Sequence, residues 1–469
     1  MMSFEGDLED VAKGGNLFRG SSKRLTWLKT ATVAVALSVT AAACGSSTSS
    51  SSSSGTSSGS STTAATNQAS APGITATSIL LGSHQPLTGP AAPGYSEIAP
   101  AAEAFFKWVN AHGGVHGRSI TLNYQDDAYN PALTTQVVQK LVLQDNVFGI
   151  VGGLGTPTHQ AVEPFLNTNK IPDLFVASGC DCWNNPSKYP YTYGFQPEYT
   201  IEGRIIGKIL MATDPTAKVG VLYQNDDFGG GGLQGLQQVL PASMIVAKQP
   251  YDPTTLSNGL GTQVAALQAA GANVVVSFTI PAATALELLA EAQAGFHPTM
   301  YTSSVSADPV TLSGLVSNFS KGAVSGASAI SGIYSLAYLP GFATPNDPWI
   351  QLFTKVHAQY DASEPMDGNM IFGMALAYAT YQALNAAGQN PTRQSIIAAL
   401  NSKGSSFTGP GLVPFGFSAT NHLGYLGAQL TKITGTLAVP QGPIYVSNAT
   451  GPVTTASSVE TPPPAALAG

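Results

Sequence analysis

The sequence predicts an α/β fold arranged as two lobes, each a parallel sheet covered by helices. Three observations carry this. Short apolar runs that read as strands alternate with segments of helical periodicity, the pattern of βαβ units. The alternation runs from about residue 78 to 177 and begins afresh after residue 200. The chain has 469 residues, enough for two such units with segments left over at both ends.

The N-terminal segments come first. Lys23, Arg24 and Lys29 precede an apolar stretch from Ala31 to Ala43. It is short for a bilayer span and flanked like a secretory signal. It ends Ala41-Ala42-Ala43-Cys44-Gly45. Small residues directly before a cysteine resemble the lipobox of bacterial lipoproteins, although Ala41 stands where that pattern usually has Leu. Residues 1–44 are therefore predicted to be a signal peptide with Cys44 the lipid attachment site. Ordinary secretion with a free Cys44 is the alternative. Residues 45–73 are almost only Ser, Thr, Gly and Ala, so they cannot bury apolar area and are predicted to be a flexible linker.

In the body, Ser78 to Gly82 reads as a buried strand, and Ile98, Ala102, Phe105 and Val109 recur at helical spacing until Gly113-Gly114. Ile120, Leu122 and Tyr124 alternate as a strand should. A helix is predicted over 131–145, a strand over 147–151, a helix with Thr156 as N-cap and Pro157 as its first residue, then a strand over 171–177. After residue 200, helices are predicted over 201–212, 233–240, 262–270 and 282–294, and strands over 218–223, 244–248 and 273–279. Further helices follow between Trp349 and Leu400. The Pro- and Ala-rich residues 448–469 are predicted to be a disordered tail.

Composition excludes several classes. Lys plus Arg is 19 and Asp plus Glu is 26, giving a net charge of -7; without residues 1–44 it is 14 against 22, or -8. Nucleic-acid binding needs a basic face, so it is not expected. Three cysteines are too few for a disulfide-stapled scaffold. No Gly-x-Ser-x-Gly elbow, His-Glu-x-x-His helix or Walker loop occurs, so the chain is not predicted to be an enzyme, and no cofactor is expected. His112 and His116 are four apart, but Gly113 and Gly114 between them spoil a metal-binding helical face; no metal is expected. Thr156 and His159 could form a nucleophile–base pair of a hydrolase, yet they lie only three apart at a helix start.

Open α/β sheets bind ligands beyond the carboxyl ends of their strands. That selects four loops: 85–95, 152–158, 177–183 and 224–232. At these loops Pro86-Leu87-Thr88-Gly89-Pro90, Val109-Asn110-Ala111-His112-Gly113-Gly114-Val115-His116-Gly117 and Tyr124-Gln125-Asp126-Asp127 resemble the leucine/isoleucine/valine-binding family. So do Leu174 to Gly179, Tyr193 to Pro197, Val221 to Gly229 and Phe407 to Pro410. These are substrate-binding proteins of ABC importers with the type I periplasmic binding fold.

The resemblance implies two Rossmann-like lobes joined by three hinge crossings. Lobe 1 would be 74–199 plus 329–410, and lobe 2 would be 200–328 plus 411–447. It further implies a monomer outside the cytoplasm, lipid-anchored to the outer face of the bacterial cell membrane. The partners would be a small-molecule ligand and the permease and ATPase of an importer. A ligand sensor of the same fold coupled to a signalling partner is the alternative.

The resemblance also assigns residues. Thr156 would hold the ligand carboxylate, with Ala177, Ser178 and Gly179 assisting; Thr88, Tyr95, Tyr199, Phe228 and Ile280 would line the cleft. A helix start that follows glycines favours an anion independently of any family. Thr156 could equally do no more than cap its helix. Ser304 stands where amino-acid binders of the family carry an acid for the ammonium group, and it cannot neutralise a charge. Asp226, Asp227 or Asp308 could substitute, although turn and capping roles suit the first two. An apolar, partly aromatic cleft with one anion-holding loop suits a hydrophobic carboxylate better than a zwitterion.

Two local features stand apart. Gly229 to Gly232 is expected to delay the start of its helix and leave a mobile loop at the cleft mouth. Cys180 and Cys182, one residue apart, could form a tight disulfide; free thiols are the alternative, and two ligands are too few for a metal. The family's own disulfide near the first cleft loops is missing, because Tyr129 and Gly155 occupy those places.

Overall fold

A computed structural model describes residues 66–448 and 450–468. The signal peptide with its lipobox, Cys44 and linker residues 45–65 lie outside the described residues. Among the described residues, no helix is long and apolar enough to cross a membrane.

Two sheets form the frame. The first has five parallel strands, β1 (Ser78–Gln85), β2 (Ser119–Asp126), β3 (Ile150–Val151), β4 (Asp173–Val176) and β5 (Thr192–Gly194), in the order β2-β1-β3-β4-β5. β1 is buried along most of its length because helices cover both faces, the usual state of a parallel strand. β2 is an edge strand; Ile120 and Leu122 are buried and Tyr124 packs partly buried on the same core, which is why its first half alternates.

The second sheet contains β6 (Val219–Gln224), β7 (Ile245–Tyr251), β8 (Val274–Phe278), β9 (Thr299–Thr302), β10 (Tyr334–Ala337), β11 (Gly427–Thr434), β12 (Leu437–Val446) and β13 (Thr454–Ala456). Their order is β13-β12-β11-β10-β9-β8-β6-β7. This sheet is mixed: β6 to β10 run parallel, while β10 to β13 pair antiparallel. The antiparallel half comes from a hairpin whose turn places Gly435 at φ 62°. The strand Tyr334–Ala337 belongs to this sheet, between β9 and β11.

The glycine run does not delay its helix. Helix Asp227–Val239 begins at Asp227, and the Asp226 carboxylate caps it, accepting from the Phe228 N–H at 2.9 Å and the Gly229 N–H at 3.4 Å. The glycines serve packing instead. A Cβ on Gly232 would lie 2.2 Å from the Phe278 ring, and one on Gly235 would lie 2.3 Å from the Thr200 carbonyl oxygen. On the facing helix Tyr199–Thr213, a Cβ on Gly203 would lie 2.2 Å from the Gly232 carbonyl oxygen. The two backbones touch along this seam, and the contact outweighs the helix propensity that glycine forfeits.

The ends of the described chain are also docked. The tail was expected to be loose, but β13 pairs with β12 and Leu467 is 1% exposed. Two buried indoles explain it. Trp108 Nε1 donates to the Leu467 carbonyl at 2.9 Å, and Trp349 Nε1 donates to the Thr461 carbonyl at 2.6 Å. A buried indole N–H needs an acceptor, and a Pro- and Ala-rich segment still offers carbonyls. Residues 66–73, predicted to be linker, are held in the same way. The buried Arg118 guanidinium donates to the Gln68 carbonyl at 3.0 Å, and Ser70 Oγ donates to the Pro391 carbonyl at 2.6 Å.

A matched pair of substitutions tests the glycine seam. Gly235→Ala should cost about 1–3 kcal/mol through overpacking. Gly230→Ala, where a Cβ meets nothing within 4 Å, should gain roughly 0.5 kcal/mol or more. Urea midpoints of both variants against the parent check the signs. Two changes of the same sign would contradict the seam.

Candidate functional site

The carboxyl ends of both sheets converge on one cavity of about 180 Å³. Tyr95, Tyr129, Thr156 and Ala177 reach it from the first sheet's loops; Phe228, Ile280 and Ser304 reach it from the second's. It continues along Leu336 to Phe342 and past Ile371 and Phe372, so most of its wall is apolar.

The loop after β3 provides the polar pole. Thr156 is the first helical residue, not the cap; Gly155, at φ 99°, takes the cap position without a side-chain bond. The Thr156 hydroxyl is therefore not spent on capping. It lies 2.7 Å from Ser178 Oγ. Tyr199 joins them: burial pushes its phenol up to about 12, opposed by hydrogen bonds to Ser178, the Gly179 backbone and Thr156. Three hydroxyls thus converge at the first turn of a helix, where leading N–H groups lack earlier carbonyls. The Tyr199 ring also packs on Phe228, with centroids 4.4 Å apart.

The floor under this loop is a chain of buried side chains. His84 Nδ1 lies 2.7 Å from Asp127 Oδ2, and His84 Nε2 lies 2.9 Å from His159 Nδ1. His159 Nε2 lies 2.9 Å from Asp173 Oδ2, which also accepts from Thr192 Oγ1 at 2.7 Å. Each link needs one proton, and two neutral imidazoles bring two, so the chain holds one proton more. Burial lowers the His84 pKa, which suits a neutral ring that donates through Nδ1 and accepts at Nε2. A Cβ on Gly153 would lie 2.5 Å from His84 Nε2, so the glycine lets the loop that leads to Thr156 rest directly on the imidazole pair.

Seven of the ten residues expected at the ligand line the cavity: Tyr95, Thr156, Ala177, Tyr199, Phe228, Ile280 and Ser304. Three do not. Ser178 sits behind Thr156. Gly179 gives its carbonyl to the Tyr199 N–H at 2.7 Å. Thr88 is exposed, and its hydroxyl donates to Asp126 Oδ2 at 2.6 Å. The Ala177 backbone is itself occupied, since its carbonyl accepts from Gly155 and its N–H donates to Gly153. Cys180 and Cys182 are joined by a disulfide in the loop beside these residues.

Other lining residues escaped the sequence reading. Tyr129 follows β2, whose end lies outside the four selected loops. Its ring packs against Gly155, where a Cβ would lie 2.5 Å from the ring edge, and Gln224 Nε2 donates to its hydroxyl at 3.2 Å. Gln224 Oε1 accepts from Tyr251 Oη at 3.0 Å, and that oxygen accepts from the Ile280 N–H at 3.0 Å. Glu202 also escaped it; this residue does not line the cavity but stands behind Ser304.

Segments from the two sheets also meet at the rim. Tyr95 Oη donates to the Val305 carbonyl at 2.6 Å, and Gln160 Nε2 donates to Asp227 Oδ2 at 2.7 Å. Asp308 lines the cavity, but its oxygens accept from the Thr311 N–H at 2.7 Å and the Gly368 N–H at 2.8 Å. Burial and then the Asp367 charge push its carboxyl up to about 6. Asp226 caps its helix and does not line the cavity. Among the described residues, no cluster of three or more His, Cys, Asp or Glu could hold a metal ion.

Comparisons agree with this geometry. A family profile described as "Periplasmic binding protein" matches residues 78–436. The chain is 24% identical to "Leu/Ile/Val-binding protein homolog 7" of Brucella abortus over 245 residues, 50% of this chain and 60% of that protein. It is 27% identical to "Leu/Ile/Val-binding protein homolog 2" of the same species over 167 residues, 34% and 42% of the two chains. The matches thus span 60% or less of these curated relatives. Among solved structures, a fatty acid ABC transporter substrate-binding protein from Thermomonospora curvata superposes with TM-score 0.68 at 22% identity, covering 81% of this chain and 95% of that one. A branched-chain amino acid ABC transporter protein from Thermus thermophilus with bound valine gives 0.67 at 18%, covering 79% and 96%. At such identities the likeness establishes the fold.

The pH dependence of stability tests the electrostatics of the floor. Glu163 is buried, and burial followed by the Asp173 charge pushes its carboxyl up to about 8 from 4.5. The folded state keeps the proton while the unfolded state loses it, so this contribution is full below about pH 4.5 and is lost as pH rises through about 8. Urea midpoints near pH 5 and pH 8 should differ less for Glu163→Gln than for the parent. Equal pH slopes would contradict the assignment.

Proposed function

This chain belongs to the periplasmic binding protein family, and on that premise we propose that it captures a small hydrophobic carboxylate or amino acid for an ABC importer. The family is one of solute-binding receptors rather than enzymes, and its members work outside the cytoplasm. Capture is non-covalent: the lobes close over the ligand, and the ligand must favour the closed state to shift the population. The lobes are 74–199 plus 329–410 and 200–328 plus 411–447 in outline, except that β10 (Tyr334–Ala337) goes with the second lobe because it pairs in that sheet, and three hinge crossings join them. A lipid on Cys44 holds the receptor at the outer face of the membrane, and permease and ATPase subunits receive the ligand.

One observation carries the reading. The Thr156 and Tyr199 hydroxyls converge at a helix start and face an otherwise apolar, aromatic-walled cavity. Hydroxyl and backbone donors suit a carboxylate, and the apolar wall suits its hydrocarbon body. The Thermus protein holds valine and the Thermomonospora protein is described as a fatty acid receptor; both ligands are hydrophobic carboxylates. Volume favours the smaller of the two sizes. An apolar cavity of about 150 Å³ takes up benzene. At about 180 Å³, this cavity suits a branched short-chain or single-ring acid rather than a long acyl chain.

Thermal shift of the full chain against branched-chain amino acids, aromatic amino acids and their amine-free acids tests the proposal. A ligand at about 100 times its dissociation constant should add roughly 2.7 kcal/mol to stability. Thr156→Val should weaken binding roughly ten- to hundred-fold, the worth of a hydrogen bond to a charged group. A cavity that responds to long-chain acids alone, or binding untouched by Thr156→Val, would sink it.

A further inference from the structure

The carboxylate of Glu202 lies directly behind the part of the cavity wall that Ser304 forms. Glu202 belongs to the first turn of helix Tyr199–Thr213 and is 0% exposed. Ser303 Oγ donates to its Oε2 at 2.6 Å, Ser304 Oγ donates to its Oε1, and the Ser304 backbone N–H adds a further bond. Burial outweighs these donors and pushes the carboxyl up to about 7. The other ionisable groups that feel its charge are Tyr199 and Tyr338, phenols that burial keeps neutral.

A serine hydroxyl has one proton to give and two lone pairs. With the proton committed to Glu202, Ser304 turns lone pairs toward the cavity, with negative charge behind them. A ligand hydroxyl or amine satisfies that acceptor. A ligand carbonyl opposes it, and a bare methylene leaves it unpaired, which is costly in a dry site.

We propose that Glu202, acting through Ser304, is a positioning residue that makes this wall a hydrogen-bond acceptor. The ligand class is then a hydrophobic carboxylate that also carries a hydroxyl or amine, taken in preference to the plain acid and the keto acid of the same skeleton. This rests on the reading of the cavity as a carboxylate receptor and adds a second polar pole to it. The sequence alone pointed the other way, because Ser304 by itself cannot neutralise an ammonium group. The acid that would do so stands on another element.

Titration calorimetry of the full chain with two matched sets tests it: leucine, leucate, isocaproate and ketoisocaproate, and phenylalanine, phenyllactate, phenylpropanoate and phenylpyruvate. A donor-bearing probe should bind about ten-fold or more tighter than the plain and keto acids of its set, about one lost hydrogen bond. The gap should widen from about pH 6 to about pH 8 as Glu202 ionises and fixes the Ser304 proton. In Glu202→Gln a carboxamide N–H can donate to a serine and release its hydroxyl proton, so the gap and its pH dependence should collapse. Ser304→Ala should collapse the gap as well, and it serves if the first variant fails to fold. A gap unchanged in either folded variant would reduce Glu202 to a brace for the 303–306 turn and overturn the proposal. Binding by the parent without discrimination would overturn this proposal alone. Failure of every probe would overturn the carboxylate reading together with it.

Discussion

The loop that presents Thr156 to the cavity depends on a polar chain that has no access to water. Asp127, His84, His159 and Asp173 are all buried, and they join the ends of β1, β2 and β4 to the helix that carries Thr156. A buried polar group left unpaired costs more than a made bond returns, so these four side chains must find one another. The register of β1 on β2 makes this feasible by pairing Gln85 with Asp126, which sets Asp127 beside His84. Gly153 can then lie on the imidazoles, and the Thr156 hydroxyl is held at the cavity by Ser178. The geometry of the Thr156 loop is thus inherited from strand register through one hydrogen-bonded chain.

Low charge content shapes the rest. Only 10% of residues are charged, so buried carboxyls seldom have a cation to meet. Burial instead pushes Glu163, Glu198 and Glu291 up to about 8, where they are neutral donors and acceptors rather than ions. Such groups favour folding at lower pH. His422 works in the opposite sense: burial lowers it to about 4, so its contribution is lost as pH falls below its unfolded value of 6.5. The two trends oppose each other across the mildly acidic range. A receptor with so neutral an interior can enclose a hydrocarbon ligand without leaving ions stranded beside it.

What was legible in the sequence was local. Apolar runs such as Val274 to Phe278 announce buried strands, and Asn130-Pro131 or Asp347-Pro348 announce helix starts, because each signal is contained in a few residues. Phe228 and Ile280 were found through the family resemblance, and both follow strand ends that point to the cavity. What failed was whatever depends on a partner far along the chain. The glycines after Phe228 look like a broken helix until Gly203 and Thr200 are seen pressed against them. The Pro-rich tail looks loose until Trp108 and Trp349 claim its carbonyls. Glu202 looks like an ordinary helical acid, and only the fold brings it to Ser303 and Ser304, about a hundred residues away. Tyr129 is different, because the strand-end rule covered it and was not applied to β2.

The two poles of the cavity explain why one fold can serve hydrophobic ligands with differing polar groups. The Thr156 side offers protons: hydroxyls and first-turn amides come from a loop whose own geometry is locked beneath it. The Ser304 side can offer protons or lone pairs, depending on what stands behind the serine. Between them the wall is apolar and sets size more than identity. Specificity in such a cavity is then decided by one residue at one remove from the ligand. A change there alters which hydrogen the site wants without altering the shape it encloses. That separation of shape from polarity is why the lining residues alone, read in order along the chain, leave the ligand class open, and why Glu202, which touches no ligand, narrows it.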